Sequence, residues 1–419
     1  MADPVQAQYQ AYPYPARDPA DERRRLITGS PSHLLEIDHY IYGARRDPAW
    51  PFRVLFAGGG TGDGAIMLAQ QLADRGQPAE IVHLDLSAAS RRVAEARARV
   101  RGLANIRFET GSLLDAGTLG RFDYVDCCGV LHHLEDPEAG LRALAGALAP
   151  GGGVGIMVYG ELGRSGVYET QDLLRRLAPP ARPAAERVAL ARHLVRALPE
   201  TNLLRRNPLL GDHLSSDAGL FDLLLHARDR AYRVPGVLAL LAAAGLRLVS
   251  FIEPIRYRPE TWTSDPAVRR RLGEMDEPDR MAAAELLSSA MKVHIAYAVA
   301  ADRREDTQAR PTPSAIPVLR DLDPQALART LKPGVPLTVR FDGQPLALPL
   351  PALAGPIVAR CDGRRTVADI QNDLRETVDR RLDDRAFQAA FAPTYAALNG
   401  INRMLISGYG AERTGIVGI

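Results

Sequence analysis

The sequence predicts an α/β protein built on a doubly wound, mostly parallel sheet. Three observations predict it. From about residue 51 short apolar runs alternate with longer helical patterns, as a parallel sheet covered on both faces requires. The run Arg53-Val54-Leu55-Phe56-Ala57 passes into Gly58-Gly59-Gly60-Thr61-Gly62 and then into a helical pattern. An acid, Asp85, closes the second apolar run, 23 residues after Gly62.

Before the sheet, Met1 to about Pro31 reads as an extended arm, because Tyr12-Pro13-Tyr14-Pro15 favours extended backbone. Ser32 to Tyr42 sets Leu34, Leu35, Ile37 and Ile41 among polar neighbours and predicts a helix, completing an N-terminal segment of residues 1–50. The first strand is residues 53–57, followed by a helix with Ile66, Ala69, Leu72 and Ala73 at helical spacing. Residues 81–85 predict the second strand, 88–101 a helix, 106–109 the third strand and 122–128 the fourth. A helix from Glu138 to Leu148 is expected to stop at Pro150-Gly151-Gly152, and residues 153–159 to form the fifth strand.

The alternation then breaks. Residues from about 160 to 234 are rich in Leu, Arg and Pro and read as helical. A helical block inserted late in such a sheet suits a cap over the ligand crevice, and also suits a structural elaboration or a dimerisation surface. The pattern resumes with a helix at 235–244 and strands at 246–252 and 291–299, which makes 51–300 one domain. Residues 301–317 read as a charged, proline-containing linker. Beyond it, 318–419 predicts a small α+β module: a hairpin around Asp342-Gly343, helices at about 366–378 and 384–398, and an apolar run at Met404-Leu405-Ile406.

Composition narrows the partners. A chain of 419 residues suits two or three domains, and 46% hydrophobic with 24% charged residues is ordinary for globular protein. The net charge of +2, with both signs intermixed, gives no basic stripe for nucleic acid. The start is not a secretory signal and no run is long enough to span a membrane, so no membrane partner is expected and the cytoplasm is the expected compartment. Cys127, Cys128 and Cys361 lack metal-ligand spacing; buried free thiols are expected and no metal.

The glycine turn alone is shared by several nucleotide-binding classes, since glycines admit close backbone approach and a helix start offers free N–H groups. Its spacing, Gly58-x-Gly60-x-Gly62, is tighter than the Gly-x-Gly-x-x-Gly of dinucleotide sites, which disfavours an NAD-dependent oxidoreductase. Asp85 is placed to accept ribose hydroxyls. Ser112 and Leu113 follow the third strand, where a loop would border a base. After the fourth strand comes Gly129-Val130-Leu131-His132-His133-Leu134, and later Leu148-Ala149-Pro150-Gly151-Gly152.

These four motifs, in this order, resemble the class I S-adenosylmethionine (SAM) dependent methyltransferase family, in its branch with a Val-Leu-His-His-Leu motif and a Leu-x-Pro-Gly-Gly ending. The resemblance implies a seven-stranded sheet with its last strand antiparallel, SAM as cofactor across the ends of the first two strands, and methyl transfer to a small molecule or a peptide or protein side chain. It implies that Ala57, Gly58, Gly60 and Gly62 approach the methionine and ribose, that Asp85 and Leu86 meet the ribose, that Ser112 and Leu113 border adenine, and that Gly129 and Val130 line the sulfonium pocket. Two residues depart from the family pattern. Phe56 stands where an acid usually precedes the glycines, leaving Asp63 as the candidate neighbour of the methionine ammonium; Ser112 stands where an aspartate is frequent. These departures, with the extra C-terminal module, leave open a degenerate SAM-binding fold used as a protein-interaction module. That module is also faintly similar to small winged-helix-like domains, among them the peptide-chaperone domain of pyrroloquinoline quinone biosynthesis.

The acceptor side is read from residues near the sheet's ligand-binding end. His132, Tyr168, His226, Asp229 and Tyr232 are the candidates, with His226, Asp229 and Arg230 expected on one face of a helical turn. A solvated polar turn explains the last group equally well, His133 reads as a packing or capping residue, and the oligomeric state is open.

Overall fold

The computed structural model describes residues 4–408. Seven strands form one sheet: β1 (Phe52–Ala57), β2 (Ala79–Asp85), β3 (Ile106–Thr110), β4 (Phe122–Cys128), β5 (Leu148–Tyr159), β6 (Leu246–Phe251) and β7 (Val293–Ala300). Their order is β3-β2-β1-β4-β5-β7-β6. The pairs among β1 to β5 are parallel, and β7 runs antiparallel between β5 and β6. The order reverses between β1 and β4, and in open α/β sheets the strand ends at that reversal hold the ligand.

Helix α1 (Pro4–Ala11) leads the chain and α2 (Leu34–Tyr40) precedes the sheet; α3 (Asp63–Asp74), α4 (Ala88–Val100) and α5 (Pro137–Gly146) connect its strands. Two apolar layers sandwich the sheet. One face packs Val54, Phe56 and Tyr124 against α2 and α3; the other packs Leu55, Val125 and Cys127 with Leu141 and Leu144 of α5. Five further helical segments lie between β5 and β6, from Val167–Leu177 to Asp217–Leu224, around their own apolar cluster.

Several expectations need correction. The N-terminal arm is not extended throughout: α1 and a short 3-10 helix at Pro19–Arg23 fold within it. Val5, Gln8 and Tyr12 recur at helical spacing, a signal hidden because only one of them is aliphatic. The Pro-Gly-Gly motif does not end a helix. Helix α5 stops at Gly146, and residues 148–153 bulge within β5, so that Phe122 faces Leu148 but Tyr124 faces Gly153. Glycine is required there: at Gly152 a Cβ would meet the carbonyl oxygen of Asp123 at 2.8 Å. Residues 226–231 form a loop, so His226, Asp229 and Arg230 share no helical turn.

The stretch expected as a linker is packed down. Ala309 donates its N–H to His39 of α2 at 2.7 Å, and Thr307 and Ala309 are buried. Strand β8 (Ile316–Leu319) begins inside it and pairs antiparallel with Met404–Ser407 at the far end. The expected hairpin forms at Leu337–Phe341 and Gln344–Leu348, and the expected helices at Val367–Thr377 and Asp384–Gly400. The end of the 318–419 segment beyond residue 408 lies outside the described residues. Among the described residues no helix is long and apolar enough to cross a membrane.

Candidate active site

The strand ends at the β1/β4 reversal open into a cavity of about 420 Å³. Its floor is the glycine turn. Gly58, with φ of +77°, lies so close to Val130 that a Cβ would meet its methyl at 2.4 Å, and a Cβ on Gly59 would meet the His83 ring at 2.4 Å. The turn therefore has no room for side chains and leaves its backbone to a ligand. Asp85, at the end of β2, fixes the turn: Oδ2 accepts the Gly60 N–H and Oδ1 the Ser87 N–H, each at 2.7 Å. Burial raises its affinity for a proton above the ordinary range.

The structure brings the expected cofactor residues together around this cavity, all but Ala57, which is buried in β1 behind the turn. Ser112 lines it too, with its hydroxyl accepting the Leu114 N–H at 3.2 Å. Asp63 is already committed. Burial alone would raise its carboxyl, but Arg17 and Arg97, each at 2.6 Å, hold it below the ordinary range. The bare glycine backbone, the helix start at Asp63 and the acid at the end of β2 suit the methionine, sulfonium and ribose portions of SAM.

The arm roofs the cavity. Gln6, Tyr9, Tyr14 and Pro15 line it from above the sheet's edge residues. Thr61 donates its hydroxyl to the Pro15 carbonyl at 2.8 Å, and Ser87 donates to the Tyr9 carbonyl at 3.1 Å. A buried network of Glu22 with Arg97 and Arg101 fastens the arm to α4.

Beyond the cofactor crevice the wall carries Asp222, which sequence reasoning missed. It sits in Asp217–Leu224, and a lone acid among Leu220, Phe221, Leu223 and Leu224 was the available signal. Tyr9 donates to its Oδ1 at 3.0 Å and Tyr159 to its Oδ2 at 3.1 Å. Burial pushes this carboxyl up to about 6, with the two hydroxyls opposing.

The residues expected on the acceptor side stand behind that wall. The His226 Nε2 lies 3.2 Å from the Tyr9 hydroxyl, while its Nδ1 accepts the Arg228 N–H. His133 bonds the Arg228 carbonyl through Nδ1 at 2.8 Å and stacks on His226 with centroids 3.7 Å apart. His132 is fully buried against the Tyr159 ring, 3.9 Å between centroids, and among the described residues neither ring nitrogen has a hydrogen-bond partner. Burial lowers all three histidines, His133 to about 4, so each is neutral near pH 7. Asp229 is paired with Arg164 at 2.9 Å, and the Arg164 guanidinium lies 3.6 Å from the Tyr159 ring centroid and also donates to the Tyr168 hydroxyl. Tyr232 donates its N–H to the Tyr159 carbonyl at 2.8 Å, fixing the end of β5.

His133, Asp222 and His226 bring ligand atoms within 4.8 Å of one another, a distance that suits a metal. In this structure these groups are engaged in hydrogen bonds. A neutral His226 whose Nδ1 accepts an N–H carries its proton on Nε2, and both Asp222 oxygens are taken by tyrosines. Tyr9 links His226 to Asp222 by hydrogen bonds, while His133 only stacks on His226.

The comparisons agree with this geometry. A family model described as a methyltransferase domain matches residues 55–154. An uncharacterized protein of Synechococcus sp. is 33% identical over 295 residues, covering 68% of each chain. A ubiquinone biosynthesis O-methyltransferase of Xanthomonas axonopodis pv. citri is 35% identical over 124 residues, which is 29% of this chain and 49% of that one. The chain thus spans about half the length of that O-methyltransferase. A solved structure named PKMT2 from Rickettsia typhi, in complex with AdoHcy, superimposes with a TM-score of 0.65 at 13% identity, covering 92% of this chain and 76% of that one, and so shares the fold. The chain belongs to the class I SAM-dependent methyltransferases. SAM is its cofactor, and the glycine turn, Asp85 and the Gly129-Val130 corner line the cavity at the β1/β4 reversal.

Proposed function

We propose that the protein transfers the methyl group of SAM to a hydroxyl oxygen of a small molecule, with Asp222 receiving the hydroxyl proton. The observation that carries this reading is the Asp222 carboxylate, buried on the wall of the cofactor cavity between two tyrosine hydroxyls. When bound, SAM supplies an electrophilic methyl on its sulfonium, and the protein must align a nucleophile with it and dispose of a proton. A carboxylate whose proton affinity burial has raised to about 6 is suited to take that proton near neutral pH.

Tyr9 and Tyr159 hold the carboxylate in place, and the neutral His226 supports Tyr9 from behind. Arg164 braces the Tyr159 ring on its face. Tyr9 of α1 and Tyr14 line the cavity, an arrangement that favours a small acceptor shielded from water. Relatives named as ubiquinone biosynthesis O-methyltransferases support an oxygen acceptor. The test is incubation of a cell extract with the protein and methyl-labelled SAM, followed by mass spectrometry. A labelled small-molecule methyl ether is expected; label found only on protein, or nowhere, overturns the reading.

A further inference from the structure

Phe56 takes the position of the acid that the family pattern sets before the glycine turn, yet a carboxylate stands beside it. Phe56 on β1 is in register with Asp126 on β4. Register partners on parallel strands face the same side of a sheet, so the acid has moved one strand across rather than vanished.

Four acids line the cavity, and three are satisfied within the protein. Asp63 pairs with Arg17 and Arg97, Asp85 accepts two backbone N–H groups, and Asp222 accepts two tyrosine hydroxyls. Asp126 differs. Its Oδ2 accepts the Ser32 hydroxyl at 2.7 Å, and among the described residues nothing donates to Oδ1 and no cation pairs with it. The neighbouring charge is Glu36, of the same sign, and burial with that charge pushes Asp126 up to about 7. A carboxylate buried in this way is complementary to a cation brought by the ligand.

We propose that Asp126 binds the α-ammonium of the cofactor's methionine end, with Ser32 orienting the carboxylate. This rests on the cavity being the SAM site. Calorimetry on the full chain tests both separately, using S-adenosylhomocysteine, its deamino analogue and 5′-methylthioadenosine, which lacks the amino-acid end. Asp126→Asn preserves shape and the Ser32 hydrogen bond. It is expected to weaken S-adenosylhomocysteine at least tenfold and leave 5′-methylthioadenosine unchanged. Wild type is expected to bind the deamino analogue at least tenfold less tightly than S-adenosylhomocysteine, an arm that needs no variant. Equal losses for both ligands in Asp126→Asn, or wild-type indifference to the amino group, overturn the ammonium assignment. Absence of S-adenosylhomocysteine binding to wild type overturns the cofactor site itself.

Discussion

The hydroxyl of Tyr9 lies 3.0 Å from Oδ1 of Asp222, joining the first helix of the chain to one that follows more than two hundred residues later. That contact closes the roof of the cavity and fills a buried carboxylate at the same time. Tyr9→Phe deletes it and leaves Asp222 Oδ1 and His226 Nε2 without a partner. The expected cost is about 1–3 kcal/mol in unfolding free energy, read from urea denaturation, with faster proteolysis of the arm. An unchanged midpoint and cleavage rate would show that the roof is held by its other contacts alone.

Asp222→Asn separates proton transfer from cofactor binding. The amide keeps the side chain's size but cannot take a proton, so methyl transfer to the acceptor identified from extract is expected to fall by about 10²-fold or more. S-adenosylhomocysteine affinity is expected to stay within a few-fold. A loss confined to cofactor affinity would place Asp222 outside the chemistry.

Gly58→Ala places a Cβ 2.4 Å from a Val130 methyl at a residue with φ of +77°. Strain of about 1–3 kcal/mol is expected, with S-adenosylhomocysteine binding weakened beyond tenfold. The paired control is Gly76→Ala, also at positive φ (+61°) but with no atom within 4 Å of the added Cβ. It is expected to lose stability without losing affinity.

The buried acids set a pH dependence whose sign follows from linkage. Burial holds Asp126 at about 7 and Asp222 at about 6, above the value of about 4 expected in an unfolded chain. The folded state therefore binds these protons more tightly, and their contribution to stability is complete below pH 4 and lost as pH rises through 6 and 7. For the cofactor-free protein, Asp126→Asn is expected to raise the melting temperature at pH 8 and leave it unchanged at pH 4. Stabilisation of equal size at both pH values would contradict this account.

Asn402, at φ of +56°, accepts from the Tyr40 hydroxyl at 3.1 Å and donates to Glu36 at 2.7 Å, both in the interior. Asn402→Ala is expected to cost about 1–3 kcal/mol, measured by denaturant titration, because the buried Tyr40 hydroxyl loses its partner and Glu36 one of its donors. A change within a few tenths would mean that the C-terminal segment does not contribute to the stability of α2.

The sheet was legible because a continuous apolar run bounded by glycine or acid, such as Val54–Ala57 or Ile81–Asp85, leaves few alternatives to a buried parallel strand. The residues lining the cavity at the β1/β4 reversal were legible for the same reason: they sit at strand ends whose positions the strands dictate. The acceptor side was not. Asp222, Tyr9 and Tyr14 come from segments far apart in sequence, and no local spacing predicts that α1 folds back onto the start of α4 with Tyr9 reaching Asp222. Asp126 was hidden differently, since only the lateral register of β1 and β4 sets it beside Phe56. His226 and Asp229 were seen but misplaced, because a loop rather than a helical turn carries them.

Glu36 is the meeting point of parts of the chain that emerge from the ribosome at very different times. It is fully buried and takes contacts from Ser30 at 2.8 Å, Tyr297 at 2.8 Å, Arg320 at 2.5 Å and Asn402 at 2.7 Å. Until the last of these has been synthesised, α2 carries a carboxylate that water must solvate. Cutting the chain after β7 would strip this carboxylate of Arg320 and Asn402. Fragments drawn at the apparent boundary near residue 300 are therefore expected to be insoluble when expressed alone.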